Sequence, residues 1–182
     1  MVGGIQIDSD NMIIQNINGT ENGHSFVDLG LPSGLLWATC NVGAESPEQA
    51  GLYFAWGETT GFTAEQVFSW IRLFRKSEYS ACDINENLLP VNDAAHVNMG
   101  GNWRMPTKVD FQELIDNCDV AWTEDYNGTG AAGRIFTSKT NGNSIFLPAA
   151  GYASNYEIID KNKTGGLWSS TFSRGYGQWS KI

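Results

Sequence analysis

With 182 residues, 22 aromatic side chains and 21 glycines, but only 17% charged residues, the chain has material for a single core and many turns. That composition excludes a coiled coil, a helical repeat array and a disordered tail. A formal charge of −9 argues against a nucleic-acid partner, whose phosphates would be repelled, and no apolar run reaches the roughly 18 residues of a membrane-spanning helix.

Residues 1–24 read as a leader with one short strand, and residues 25–182 as one domain. Ser25 to Leu31 and Leu35 to Cys40 read as strands joined by Pro32-Ser33-Gly34, where proline presets the turn and glycine takes the awkward backbone angle. A helical turn is expected next, with Ser46 as cap, Pro47 at its first position and Gly51 as its stop. Leu52 to Trp56 reads as an apolar strand. Thr63 to Lys76 has a helical period in Val67, Trp70, Ile71 and Phe74, with a Thr63…Gln66 capping box. A short helix is predicted from Asp93 to Met99, with Gly100 as its stop. The clearest helix runs from Thr107 to Asn117, with Phe111, Leu114, Ile115 and Cys118 as its apolar stripe. Arg134 to Lys139 pairs with Ser144 to Leu147 across Asn141-Gly142, a strong hairpin signal. Helices set among hairpins and long loops predict an α+β domain with twisted antiparallel sheet.

Charge is unevenly spread. After Asp160 there is no acid, but there are Lys161, Lys163, Arg174 and Lys181. The last 22 residues therefore carry +4, while the first 160 carry −13 from seven bases against 20 acids. Such a basic end either folds back on the acidic body or meets an acidic partner. Cys40, Cys82 and Cys118 have no metal-ligand spacing, and buried thiols are expected at Cys40 and Cys118. Met1 to Ile7 lacks the basic and then apolar pattern of a secretory signal.

Tests for chemistry come out negative. His24 and His96 adjoin no nucleophile motif, and His96 reads as a structural histidine. Asp83 to Asn87 imitates the start of a calcium loop, but Leu88 stands where glycine is needed and Ala94 where glutamate is. Asp110, Glu113 and Asp116 sit on a helix where its dipole and polar face account for them. Asn127-Gly128-Thr129-Gly130 leads into no phosphate-binding pattern. No cofactor and no metal are expected.

Five stretches together carry a resemblance: VDLGLPSGLLWATCNVGA (Val27 to Ala44), GLYFAWGET (Gly51 to Thr59), DAAHVNMGGNWRMPT (Asp93 to Thr107), NGNSIFLPAAGY (Asn141 to Tyr152) and GGLWSS (Gly165 to Ser170). In this order they resemble the Fibrobacter succinogenes major paralogous domain, a family abundant in gut Bacteroidales. The resemblance implies a C-type lectin-like fold, a display scaffold of small sheet and two main helices holding long loops. Related domains are surface ligand-binding proteins, some of them variable proteins of diversity-generating retroelements that recognise receptors for phage. The resemblance therefore implies a non-catalytic binding module, secreted or on a cell or virion surface, whose partner is a protein or glycan receptor. Two alternatives are a structural or decoration subunit docking on a neighbouring chain and an enzyme of the formylglycine-generating type. The calcium-binding loop of true C-type lectins has no counterpart here, and calcium or sugar specificity is not carried over. Family members continue beyond the W-S-S motif, whereas this chain ends at Ile182, so the closing strand that pairs near the N-terminus in the family is expected to be missing, leaving an edge open to a partner strand or filled by the leader.

The ligand-binding residues expected from chemistry are Tyr152, Asn155, Tyr156, Phe172, Arg174, Tyr176 and Trp179, because Tyr, Trp and Arg offer rigid contact area with a polar handle. Trp168, inside the family motif, is expected in the core with Trp37, Trp56, Trp103 and Phe111. Arg104, opposite Trp103 and Met105 by alternation, is expected to pair with Asp93 or Glu58.

Overall fold

The computed structural model describes residues 17–67, 81–154, 156–172 and 179–181. Its elements are β1 (Gly19–Glu21), β2 (His24–Asp28), β3 (Leu36–Ala38), α1 (Ala64–Val67), α2 (Ala94–Met99), α3 (Lys108–Asn117), β4 (Cys118–Thr123), β5 (Gly133–Ser138), β6 (Ser144–Pro148), β7 (Tyr152–Ser154), β8 (Glu157–Ile159), β9 (Gly166–Trp168) and β10 (Trp179–Lys181). Among the described residues the strands form four small antiparallel groups, ordered β1-β2-β3, β4-β5-β6, β7-β8 and β9-β10. The architecture is α+β, with few helices and long connections.

The helix expected at Thr107 forms because its first turn satisfies itself. Thr107 Oγ1 accepts from the Asp110 amide at 3.1 Å, and the Asp110 carboxylate accepts from the Thr107 amide at 2.7 Å. Phe111 and Leu114 then face a core of Val27, Leu29, Trp37, Phe136 and Ile145. Ile115 does not join them. It is 50% exposed, because the helix ends at Asn117 and the chain turns directly into β4. Cys118 is accordingly the buried first residue of a strand and not part of a helical stripe.

The Asn141-Gly142 hairpin is present, with Ile135 opposite Phe146 and Thr137 opposite Ser144. Side chains near its turn also bind the exit of β2. Ser138 Oγ donates to the Leu29 carbonyl at 2.5 Å, and the Asn141 and Asn143 amides donate to the Asp28 carbonyl at 2.9 and 2.7 Å. On the other edge of β5 lies β4, a six-residue strand that the sequence reading passed over. Its residues Asp119 to Trp122 are exposed, so it shows no alternation of buried and exposed positions.

A second core gathers Trp56, Leu88, Ala94, Ala95, Met99 and Met105, with Trp103, Trp168 and Phe172 packed against it. Asp93 caps α2 by accepting from the His96 amide at 2.9 Å, and Gly100 ends it at φ 69°. The same buried carboxylate accepts from the Met105 amide at 2.9 Å, so no place remains for a guanidinium. Arg104 instead points outward and pairs with Asp110 at 2.6 Å, not with Asp93 or Glu58. His96 is structural, its Nδ1–H donating to the Trp103 carbonyl at 3.2 Å.

Two expected elements do not form. Ser46 to Gly51 is a turn in which side chains take the backbone's place: Gln49 Oε1 accepts from the Glu45 amide and Asn41 Nδ2 donates to the Ala50 carbonyl. Leu52 to Trp56 makes a single bridge, Tyr53 to Phe62, and no strand, because the Phe54 carbonyl accepts an indole N–H instead of a ladder bond. The Thr63–Gln66 capping box opens α1, while residues 68–76 of the expected helix lie outside the described residues. Toward the ends, Gly19–Glu21 adds a strand to β2. At the other end of the described residues a further short strand forms. Trp179–Lys181 pairs antiparallel with β9, setting Trp179 opposite Trp168 and Lys181 opposite Gly166.

Burial alone would raise the Asp110 carboxyl, but the Arg104 guanidinium and the Thr107 hydrogen bonds outweigh it and hold it below its ordinary value. Its contribution is present above that ordinary value and lost as pH falls through the lowered one. Asp110→Ala should therefore cost about 1–2 kcal/mol at pH 7. In urea unfolding, the gap to the native chain should close below pH 3.8.

Candidate functional site

Tyr152 and Tyr156, two of the residues expected to bind ligand, lie on one short hairpin. β7 and β8 pair with Tyr152 opposite Ile159 and Ser154 opposite Glu157, and Tyr156 stands at the tip. The two side chains are 37% and 41% exposed. Tyr156 has a φ of 67°. Among the described non-glycine residues that share a positive φ, four are Asn or Asp, which tolerate it, and the others are Glu86 and Tyr156. A bulky ring in the left-handed region costs on the order of 1–3 kcal/mol, and the surrounding structure must hold it there.

Gly151 ties this hairpin to the end of the chain. Its amide donates to the Thr164 carbonyl at 2.7 Å, and its carbonyl accepts from the Gly166 amide at 3.3 Å. The resulting Gly151–Gly165 bridge is parallel and leads straight into β9, whose other neighbour is β10. The hairpin and the strand that begins at Trp179 are thereby joined through β9. Gly151 has to be glycine, because at φ 73° an added Cβ would come within 2.3 Å of the Ile159 carbonyl oxygen. Lys161 and Lys163, exposed on the loop after β8, bring part of the basic end to the same region.

The other expected residues are placed differently. Phe172 is half-buried and packs on Trp56 with ring centroids 5.6 Å apart. Trp168 is half-buried as well, with its indole N–H on the Phe54 carbonyl at 2.8 Å. Asn155, Arg174 and Tyr176 lie outside the described residues, and for Trp179 the backbone in β10 is described.

Behind the hairpin, Tyr152 also lines a cavity of about 780 Å³ bounded by Trp37, Trp56, Trp103 and Trp168. Nothing in the sequence announces it, since aromatic rings in apolar stretches read as core whether or not the space between them is filled.

Charged and nucleophilic groups elsewhere are committed to structure. Glu113 accepts from the Ser33 amide and hydroxyl at 2.9 and 2.6 Å, Asp116 from the Gln112 amide, and Asp83 from the amides of Asn85 and Asn87. Cys40, Cys82 and Cys118 are free thiols. Burial raises all three, and Cys118 is pushed up to about 11, which leaves it protonated and a poor nucleophile at neutral pH. Among the described residues no cluster of His, Cys, Asp or Glu is arranged to hold a metal ion, and no helix is long and apolar enough to cross a membrane. Comparison with protein-family models, curated proteins and solved structures gives no match to this chain.

Two outcomes follow from this geometry. A thiol reagent at pH 8 should label Cys118 only when the chain unfolds, while half-buried Cys82 reacts in the folded state. Gly151→Ala should destabilise the protein by about 1–3 kcal/mol, with hydrogen exchange rising first in β7 and β8.

Proposed function

We propose that this chain is a non-catalytic ligand-binding module of C-type lectin-like fold, allied to the Fibrobacter succinogenes major paralogous domain. In this reading it is displayed at a bacterial or phage surface, and the tip of the β7–β8 hairpin meets a protein or glycan receptor. Tyr156 carries the reading. A tyrosine held exposed in a conformation that glycine would adopt without strain costs local stability, and such outliers collect at functional sites. Tyr152 beside it adds a second rigid, amphipathic ring. Lys161 and Lys163 on the adjoining loop favour encounter with an acidic partner.

A second reading, a structural subunit docking on a neighbouring chain, draws on a different observation. β4 pairs on one side only among the described residues and exposes Val120 and Trp122 at 39% and 40%. A long exposed edge of this kind invites another strand. Light scattering on the full chain separates the two, because the second reading requires assembly and the first does not.

The test of the first is a binding screen of the full chain on glycans and on cell surfaces, followed by two variants against the receptor found. Tyr156→Gly should leave the thermal midpoint unchanged or higher, since it relieves the left-handed strain, and should lower affinity about tenfold or more. Tyr152→Ala should weaken binding as well. Full affinity in both variants removes the hairpin as the binding face.

A further inference from the structure

We propose that the open edge of β4 takes the basic end of a second copy of this chain, so that copies join head to tail. This rests on the reading of β4 as a docking edge and supplies the identity of the neighbour. β4 is the outer strand of β4-β5-β6, six residues long, with Asp119 to Trp122 exposed. An edge of that length offers unpaired backbone groups to an added strand.

Charge decides which strand fits. From Val109 to Gly133 the sequence has six acids and no base. Asp110 is held by Arg104, the one ion pair among the described residues, and Glu113 by Ser33. The other four flank the edge: Asp116 and Asp119 at one end of β4, Glu124 and Asp125 at the other, all exposed and none paired with a cation among the described residues. Two bases adjoin the strand without neutralising them. Arg134 lies across the ladder from Trp122, and Lys139 donates to the Asp116 backbone carbonyl at 3.0 Å. Two β4 strands are therefore poor partners for each other. An antiparallel pair sets the start of one against the end of the other, acid opposite acid, and like charges so placed are destabilising.

The complementary charge is in the same chain. From Lys161 onward there are four bases and no acid. β10 pairs with β9 on one side only among the described residues, and its register sets Lys181 opposite Gly166, three residues after Lys163. The ladder thereby brings the positions of Lys163 and Lys181 to one end of an open strand. Lys161 is engaged within its own chain, close enough to Glu65 to help lower that carboxyl. β10 laid along β4 of another copy gains main-chain hydrogen bonds, while opposite charge selects the partner and its orientation. Three residues of ladder make a weak contact, which shows at high protein concentration and low salt. It is also heterologous, since the two surfaces that meet are different ones.

Sedimentation of the full chain tests this. The average mass should rise above 19.9 kDa with concentration in about 0.05 M salt and fall back in about 0.5 M. Amide exchange in β4 should slow as the mass rises. Asp119→Asn with Glu124→Gln, and separately Lys163→Gln with Lys181→Gln, should each weaken self-association about tenfold or more. Mixed together, the two variants should associate again, because one keeps the native basic end and the other the native β4 edge. The proposal is overturned by a mass of 19.9 kDa at every concentration, by no association in the mixture, or by stronger self-association of the Asp119→Asn, Glu124→Gln chain, which would mean that β4 meets β4. Should the lysine variant fail to fold, the salt series and the acid variant decide the matter. Protection of β4 that grows with concentration but ignores the lysine substitutions overturns this proposal and keeps the docking reading. Amides of β4 already protected in the monomer remove both.

Discussion

Two tryptophans far apart in sequence clasp each other's backbone. The Trp56 indole donates to the carbonyl of Ser169, next to Trp168, and the Trp168 indole donates to the carbonyl of Phe54, two residues before Trp56. Each bond spans more than a hundred residues of chain. The Trp56 side chain is 1% exposed, so water competes little for its bond. The clasp substitutes for a sheet. It holds an irregular segment, residues 52–56, against β9, and β9 in turn carries β10 on one side and the Gly151 bridge to the hairpin on the other.

The same device recurs through the molecule. Trp103 donates to the Glu21 carbonyl, Asn22 to the Met99 carbonyl, Tyr53 to the Ala150 carbonyl and Ser138 to the Leu29 carbonyl. Each ties a loop or a strand end to a distant part of the fold through one side chain. Strands of three to six residues cannot bury many backbone groups in ladders, so polar side chains complete the pairing that sheets provide elsewhere. A scaffold built this way can carry long connections and still present a short hairpin such as β7–β8 in one orientation. It can also leave room between its rings, as in the cavity bounded by Trp37, Trp56, Trp103 and Trp168.

Much of the local structure was legible because local chemistry decides it. Thr107 with Asp110, Asp93 with Gly100, and Asn141-Gly142 are signals whose partners lie within a few residues, and helices α2 and α3 and the β5–β6 hairpin follow from them. Tyr152 and Tyr156 could be singled out as candidate contact residues because tyrosines among small and polar neighbours offer rigid area with a polar handle, and the structure leaves both partly exposed. Their positions on one hairpin could not be named, since β7 and β8 are three residues each and are fixed by Gly151 packing on the Ile159 carbonyl. β4 escaped notice because its exposed residues show neither the strand nor the helix period. The strand expected over Leu52 to Trp56 failed for the opposite reason. Its apolar run is genuine, but indole side chains claimed the backbone groups that a ladder would need.

By itself the sequence determined the class of the protein, its capped helices, its main hairpin, its buried aromatic stock and the reversal of charge near its end. These depend on composition and on contacts within a few residues. Only the tertiary structure decided which carbonyl the indoles of Trp56, Trp103 and Trp168 would find, that Arg104 would choose Asp110, that the segment ending in β10 would pair with β9, and that the Trp37 indole N–H would be buried without an acceptor. Those outcomes depend on which distant groups are brought within about 3 Å of one another, and no pattern along the chain records that distance.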